Sequence, residues 1–313
     1  MALDAKQEQL VKIARLYYLE EMNQRDIARK MNMSLAGVSR SITKAKETGI
    51  VTVSVNSPDD EAAELEILLE KRFGLRECLL VDSSPTAEIM YADMAAKISY
   101  YLDKILEKGS RVGVSWGLTL KTIGDNLPAQ STTCKAVVPI VGAIGRIETG
   151  IFPNSIARSF AEKLGADCYI VNTPGLVDSE DIRQYLLSDS SFAEIAELWD
   201  HLDVALFSVS EMDDGSSVRD LNVLPQKDLG EAKNRGAAML ANFLFFDNDG
   251  NPVSTDLAQR IINIEYKALM AIPHRIIAAA GERKIQPLRS ALRGGLPHVL
   301  VTDKDTSRKL LED

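Results

Sequence analysis

Apolar residues in the amino-terminal segment recur at helical spacing. Between Gln7 and Leu19, Leu10, Ile13, Ala14, Leu16 and Tyr17 fall three and four apart, placing them on one face of an amphipathic helix. Glu21-Met22-Asn23 links it to Gln24–Met31, where Ile27, Ala28 and Met31 form a second apolar face. Asn32 follows, a residue that tolerates the left-handed backbone of a tight interhelical turn. Ser34 is placed to cap a third helix from Leu35 to Lys46, with Val38, Ile42 and Ala45 inward. Glu47-Thr48-Gly49 ends that helix at a glycine, and the alternation in Ile50–Val55 predicts a short strand forming a wing.

The polar, proline-containing run Asn56-Ser57-Pro58-Asp59-Asp60 then marks a boundary, giving domains 1–57 and 58–313. After a helix over Glu61–Arg72, with Leu65, Leu68 and Leu69 on one face, the pattern changes to alternating strands and helices. Strands are expected at Glu77–Val81, Arg111–Ser115, Ala136–Val141, Asp167–Val171, Val204–Val209, Arg275–Ala280 and His298–Thr302. Continuous apolar runs such as Val-Ala-Leu-Phe suit strands covered on both faces. The expected fold class is therefore α/β: an N-terminal winged helix-turn-helix followed by a larger Rossmann-like domain on a largely parallel sheet.

The outer face of the third helix gives the first module its chemistry. Ala36, Gly37 and Ser39 are small enough for the helix tip to approach base edges. Arg40 can fork onto a guanine or clamp a phosphate, and Thr43 and Lys44 extend the same face toward the backbone. Ser34 at the cap and Gln24 and Arg25 at the start of the second helix complete the candidate DNA-binding set. Two packed helices with a turn also occur as plain structural elements. The charge distribution decides between the readings. Residues 1–57 carry nine Lys/Arg against six Asp/Glu, while 58–313 carry 27 against 39, so the net charge of −9 conceals a basic tip on an acidic body. Such a chain is repelled by DNA except at its reading head, and operator DNA is the expected partner.

With 45% hydrophobic and 26% charged residues, the composition is that of a globular protein. No run approaches the ~18 apolar residues of a membrane span, and the start has no secretory pattern, so a cytoplasmic protein with no membrane partner is expected. Cys78, Cys134 and Cys168 have no metal-ligand spacing and read as buried thiols, so neither metal nor cofactor is expected. Ligands of parallel sheets bind beyond the carboxyl ends of the strands, which directs attention to four loops. The first is Ser115-Trp116-Gly117 with Thr119 opening the next helix, where free N–H groups and the helix dipole favour an anion. The others carry Gly142 and Ala143 (continuing to Gly145-Arg146), Asn154 and Arg158, and Gly281, Arg283 and Lys284.

Taken together, several segments resemble the SorC/DeoR-type family of sugar-sensing bacterial regulators. They are Ala14-Arg15-Leu16-Tyr17-Tyr18 and Val38-Ser39-Arg40 in the head, Val114-Ser115-Trp116-Gly117, Phe245-Phe246-Asp247 with Gly250, Ala280-Gly281 to Lys284, and Val301-Thr302-Asp303. The resemblance implies an effector domain similar in fold to phosphosugar isomerases, a phosphorylated sugar or sugar alcohol as effector, and a homodimer or homotetramer on a palindromic operator of a carbohydrate or polyol operon, acting as a repressor. Two positions depart from the pattern. Some relatives hold an effector aldehyde as a Schiff base on a lysine in the strand corresponding to Val138–Gly142, which here reads Val-Pro-Ile-Val-Gly. Others hold sugar hydroxyls with an aspartate seven residues before Asp247, which here is Leu240. A smaller or less hydroxylated ligand is therefore expected. Two competing classes remain: a phosphosugar isomerase-like enzyme with an accessory DNA-binding head, and a DNA-binding protein whose large domain only assembles it. The first would need a paired acid and base, and His201, His274 and His298 are scattered. Glycine loops at several strand ends speak against the second.

Overall fold

The computed structural model describes residues 5–52, 60–129, 133–144, 151–212 and 223–312. The chain divides into two compact units, Met1–Pro58 and Asp59–Asp313.

The first unit holds α1 (Ala5–Tyr18), α2 (Gln24–Met31) and α3 (Leu35–Glu47). Ile13, Leu16, Ile27, Ala28, Val38 and Ile42 form its core. Each boundary has a local cause. Asn23 caps α2 by accepting the Asp26 N–H, and Asn32 ends it in the left-handed region at φ 52°. Ser34 Oγ accepts the Gly37 N–H at 3.0 Å to start α3. The expected wing strand is absent over Ile50–Thr52, where the chain turns at Gly49 and the Val51 N–H returns to Ala45 O, closing off the end of α3. Residues 53–55 lie outside the described residues.

The second unit begins with α4 (Asp60–Phe73), β1 (Glu77–Val81), α5 (Ala87–Ile105), β2 (Arg111–Val114), α6 (Leu118–Asn126) and β3 (Ala136–Pro139). It continues through α7 (Pro153–Leu164), β4 (Asp167–Cys168), α8 (Glu180–Ser188), α9 (Ala193–Asp200), β5 (Val204–Phe207) and β6 (Val209–Glu211). The remainder is α10 (Gln226–Asn234), β7 (Met239–Ala241), β8 (Leu244–Phe246), α11 (Tyr266–Ala271), β9 (His274–Ala278), α12 (Ile285–Arg293), β10 (Val299–Asp303) and α13 (Lys304–Leu311). Seven strands form one parallel sheet in the order β1-β10-β9-β5-β2-β3-β4, and all seven were expected. Alternate residues feed two cores. Val112, Val114, Val204, Leu206, Ile276 and Ala278 face one side, and Ala205, Phe207 and Ile277 the other. At the β1 edge, Glu70 and Glu66 of α4 accept the Cys78 and Leu80 N–H groups at 2.8 and 2.9 Å, so carboxylates occupy positions a further strand would fill. Cys78 and Cys134 are buried thiols as expected, while Cys168 is only half-buried.

The topology reverses between β2 and β5. From β2 the chain proceeds outward through β3 and β4; from β5 it proceeds the other way through β9 and β10. A crevice beyond the carboxyl ends at this reversal is where an open α/β sheet accommodates ligands. Strands β6, β7 and β8 form a separate antiparallel sheet unforeseen in the sequence, and its first strand follows directly from β5.

Candidate functional site

An inner cavity of about 40 Å³ lies at the β2/β5 reversal. Its floor is the end of β2, where Ser115 is 1% exposed and its N–H bonds Leu206 O of β5. Gly117 then takes φ 134°, a value that favours glycine, and turns the chain into α6. Thr119 in the first turn of α6 is buried against the same space. Trp116 closes one side, donating its indole N–H to Ile151 O at 2.7 Å and stacking at 5.5 Å on Phe243.

The opposite wall comes from the antiparallel sheet. Val209 and Ser210 come from its first strand with Ser208 just before it, and Leu240, Asn242 and Phe243 come from the neighbouring hairpin. Asn242 and Phe243 both have positive φ, 49° and 58°, making the two-residue turn that joins β7 to β8. The Asn242 carboxamide bonds through both of its ends: Oδ1 accepts from Ser115 Oγ at 2.6 Å and Nδ2 donates to Ile140 O at 3.1 Å.

Lys284 enters from the loop after β9. Its ammonium donates to Val209 O at 2.6 Å, and burial pulls its pKa down to about 8, with Arg283 adding to the fall and Glu211 opposing it. An ammonium has three N–H bonds, so two remain directed elsewhere. Ser208 Oγ is buried without a hydrogen-bond partner. The arrangement is a small donor-rich space beside the amino terminus of a nine-residue helix. It favours an acceptor carrying negative charge.

Of the residues expected at the site, Ser115, Trp116, Gly117, Thr119 and Lys284 line this cavity together. Gly281 and Arg283 line an adjoining recess of about 250 Å³ that shares Leu118, Thr119, Ser210 and Lys284 with it. Gly142, Ala143, Asn154 and Arg158 do not reach either space. The Gly142 and Ala143 N–H groups bond Ile262 O and Thr173 O, and a Cβ on Gly142 would sit 2.7 Å from Pro174 O, so this glycine serves a close backbone crossing. Asn154 exchanges two hydrogen bonds with the Val171 backbone, and Arg158 is exposed. Gly145 and Arg146 lie outside the described residues. Leu240, singled out for its side chain, does line the inner cavity and is buried.

Ser208, Ser210, Asn242 and Phe243 were missed. Their one sequence signal is Asn242, a residue type prone to the left-handed turn. The histidines stand apart: His201 is exposed, and His274 and His298 lie at the amino ends of β9 and β10, away from the cavity.

In the first unit, Arg25, Ser34, Ala36, Ser39, Arg40, Thr43 and Lys44 are exposed, while Gln24 and Gly37 are partly so. Val38, Ile42 and Ala45 face the core, so α3 presents the expected outer surface. Lys44 also contacts Glu47 at 3.1 Å, one turn along.

A doubly covered parallel sheet with a donor-lined cavity at its reversal is an open α/β architecture, the kind that accommodates ligands in that crevice. The family described as "Putative sugar-binding domain" matches residues 57–312, and the chain belongs to it. It is 30% identical over 308 residues to the sorbitol operon regulator of Klebsiella pneumoniae, covering 97% of each protein. It is also 29% identical over 316 residues to the deoxyribonucleoside regulator of Bacillus subtilis (strain 168), covering 99% of this chain and all of that one, 100%. The crystal structure of the full-length Klebsiella regulator, SorC, superposes with a TM-score of 0.76 over 97% of this chain and 99% of that one. These relatives are transcriptional regulators, and the chain is a SorC-family member of that kind. Among the described residues no helix is long and apolar enough to cross a membrane.

Proposed function

We propose that the protein is a DNA-binding repressor of a carbohydrate or polyol operon, released or engaged by a small phosphorylated sugar or sugar alcohol. Residues 1–57 read the operator through α3, with Arg40 as the base or phosphate contact, and residues 58–313 hold the effector and assemble a homodimer or homotetramer.

The observation that carries this reading is Lys284, a half-buried cation with N–H bonds to spare, which lines the same space as Ser115, Thr119 and the unpartnered Ser208. A phosphate supplies the negative charge and the acceptors these groups lack. The sugar-binding family match and the names of the sorbitol and deoxyribonucleoside regulators support a sugar-type effector. Among the described residues lining the inner cavity there is no carboxylate or histidine, and the two carboxylates of the adjoining recess, Glu211 and Glu282, are ion-paired to Arg283 and Lys309 rather than set as the acid and base an isomerase needs.

The effector shifts operator binding only as far as it binds the two states of the assembly differently. A thermal-shift screen of three- to six-carbon sugar and polyol phosphates, repeated in a DNA-shift assay, tests the reading. The expected result is one phosphate that raises the melting temperature and changes operator affinity. Turnover of any of them, or no effect of any on DNA binding, overturns it.

A further inference from the structure

The inner cavity and the adjoining recess differ in chemistry, and the difference orients whatever binds. About 40 Å³ is room for roughly three water molecules, too little for a sugar chain but enough for one compact group. Its one charged group is the Lys284 ammonium, which only donates, its free hydroxyls can donate too, and Ser115 and Asn242 are hydrogen-bonded to each other. Leu240 stands across the β6–β7 register from Ser210 and makes the adjacent wall apolar.

The recess of about 250 Å³ is different, because it adds carboxylates to the donors. Glu211, the last residue of β6, lines it with a side chain only 24% exposed and is ion-paired to Arg283. The other carboxylate there, Glu282, is turned to Lys309. A carboxylate offers about four lone-pair positions, so one guanidinium leaves Glu211 capacity to accept further hydrogen bonds. Arg283 fixes its orientation. Together the two spaces approach the ~300 Å³ typical of a small-ligand site.

We infer that Glu211 is the residue that reads the effector's hydroxyl groups, with the anionic group seated in the inner cavity and the hydroxylated carbons in the recess. This rests on the phosphorylated sugar or polyol reading above. It adds a direction of binding and moves hydroxyl recognition from position 240 on β7 to position 211 on the neighbouring strand. Glu211→Gln keeps the size of the side chain but replaces half of its acceptor capacity with a donor and removes the charge.

Calorimetry on the full chain tests the assignment with ribose 5-phosphate, sorbitol 6-phosphate and glycerol 3-phosphate against propyl phosphate, which has no hydroxyl. The unaltered chain is expected to prefer at least one hydroxylated phosphate over propyl phosphate. Glu211→Gln should cut affinity for that compound about tenfold or more while leaving propyl phosphate within about twofold. Lys284→Met should weaken both. Equal losses for the two ligand types in Glu211→Gln, or no loss for either, overturn the Glu211 assignment and leave the phosphate site standing. If no phosphate binds the unaltered chain, the reading of the site and this inference fall together. The melting temperature of unliganded Glu211→Gln separates a folding defect from lost recognition, because misfolding would remove propyl phosphate binding as well.

Discussion

Ser115 Oγ donates to Asn242 Oδ1 across 2.6 Å, joining the end of a central parallel strand to a hairpin turn from the other sheet. Both residues are buried, Asn242 sits at φ 49°, and its backbone carbonyl accepts from Asn263 Nδ2 at 2.9 Å. The cavity wall is thus held by hydrogen bonds between buried groups.

Removing Asn242 should therefore be costly out of proportion to its size. Asn242→Ala leaves the Ser115 hydroxyl without its partner, removes one of the two donors to Ile140 O, which keeps the Ile264 N–H, and places alanine in a left-handed turn. We expect a loss of about 2–4 kcal/mol. Ser115→Ala alone should cost about 1–2 kcal/mol. The two in a double-mutant cycle, read by urea unfolding, should couple by about 1 kcal/mol. Additive losses would mean the bond contributes nothing.

How far the sequence reached is instructive at this turn. Most strands of the large sheet were legible because they are runs of apolar residues covered on both faces, and Asn32 and Ser34 announced the turn and the start of α3 by their turn and capping chemistry. The antiparallel sheet was not. Its strands Met239–Ala241 and Leu244–Phe246 have three residues each, too few to show a period. Its turn is Asn-Phe, without the glycine that normally marks a left-handed second position. With that sheet went Ser208, Ser210, Asn242 and Phe243, a third of the residues lining the cavity. Conversely, the Gly142 and Asn154 loops looked as promising as the Ser115 loop. Only the strand order, which puts β3 outside the β2/β5 reversal, separates them.

Lys284 should give the protein two opposite responses to alkaline pH. Its ordinary pKa of 10.5 falls to about 8 in the folded chain because burial disfavours the charge. Between these values the unfolded chain binds more protons than the folded one, so this residue's contribution to stability rises as pH rises from about 8 to 10.5. The gain totals on the order of 3 kcal/mol. Phosphate binding needs the ammonium and should weaken over the same interval, approaching tenfold per pH step once above 8. Lys284→Met should flatten both profiles, and urea midpoints with calorimetric titrations at pH 7, 8.5 and 10 would show it. An anion affinity indifferent to pH in the unaltered chain would remove Lys284 from the site.

The head separates folding from reading within one helix. Ser34 Oγ accepts the Gly37 N–H at 3.0 Å, and no apolar packing depends on it, since the residue is exposed. Ser34→Ala should therefore destabilise the unit Met1–Pro58 by about 1 kcal/mol through the lost cap, and weaken DNA binding only as far as α3 frays. Arg40 is exposed on the outer face beside Ser39 and Thr43, opposite the buried Val38 and Ile42. Arg40→Ala should leave the melting temperature unchanged and cost about 1–3 kcal/mol of operator binding if Arg40 grips a base, with relaxed discrimination at that base pair. If it grips a phosphate instead, the loss should be the same on every sequence, and the dependence of affinity on salt should fall by about one ion. A DNA-shift titration of both variants at two salt concentrations distinguishes these outcomes, and an Arg40→Ala protein with unaltered affinity on operator and nonspecific DNA alike would take α3 out of the reading role.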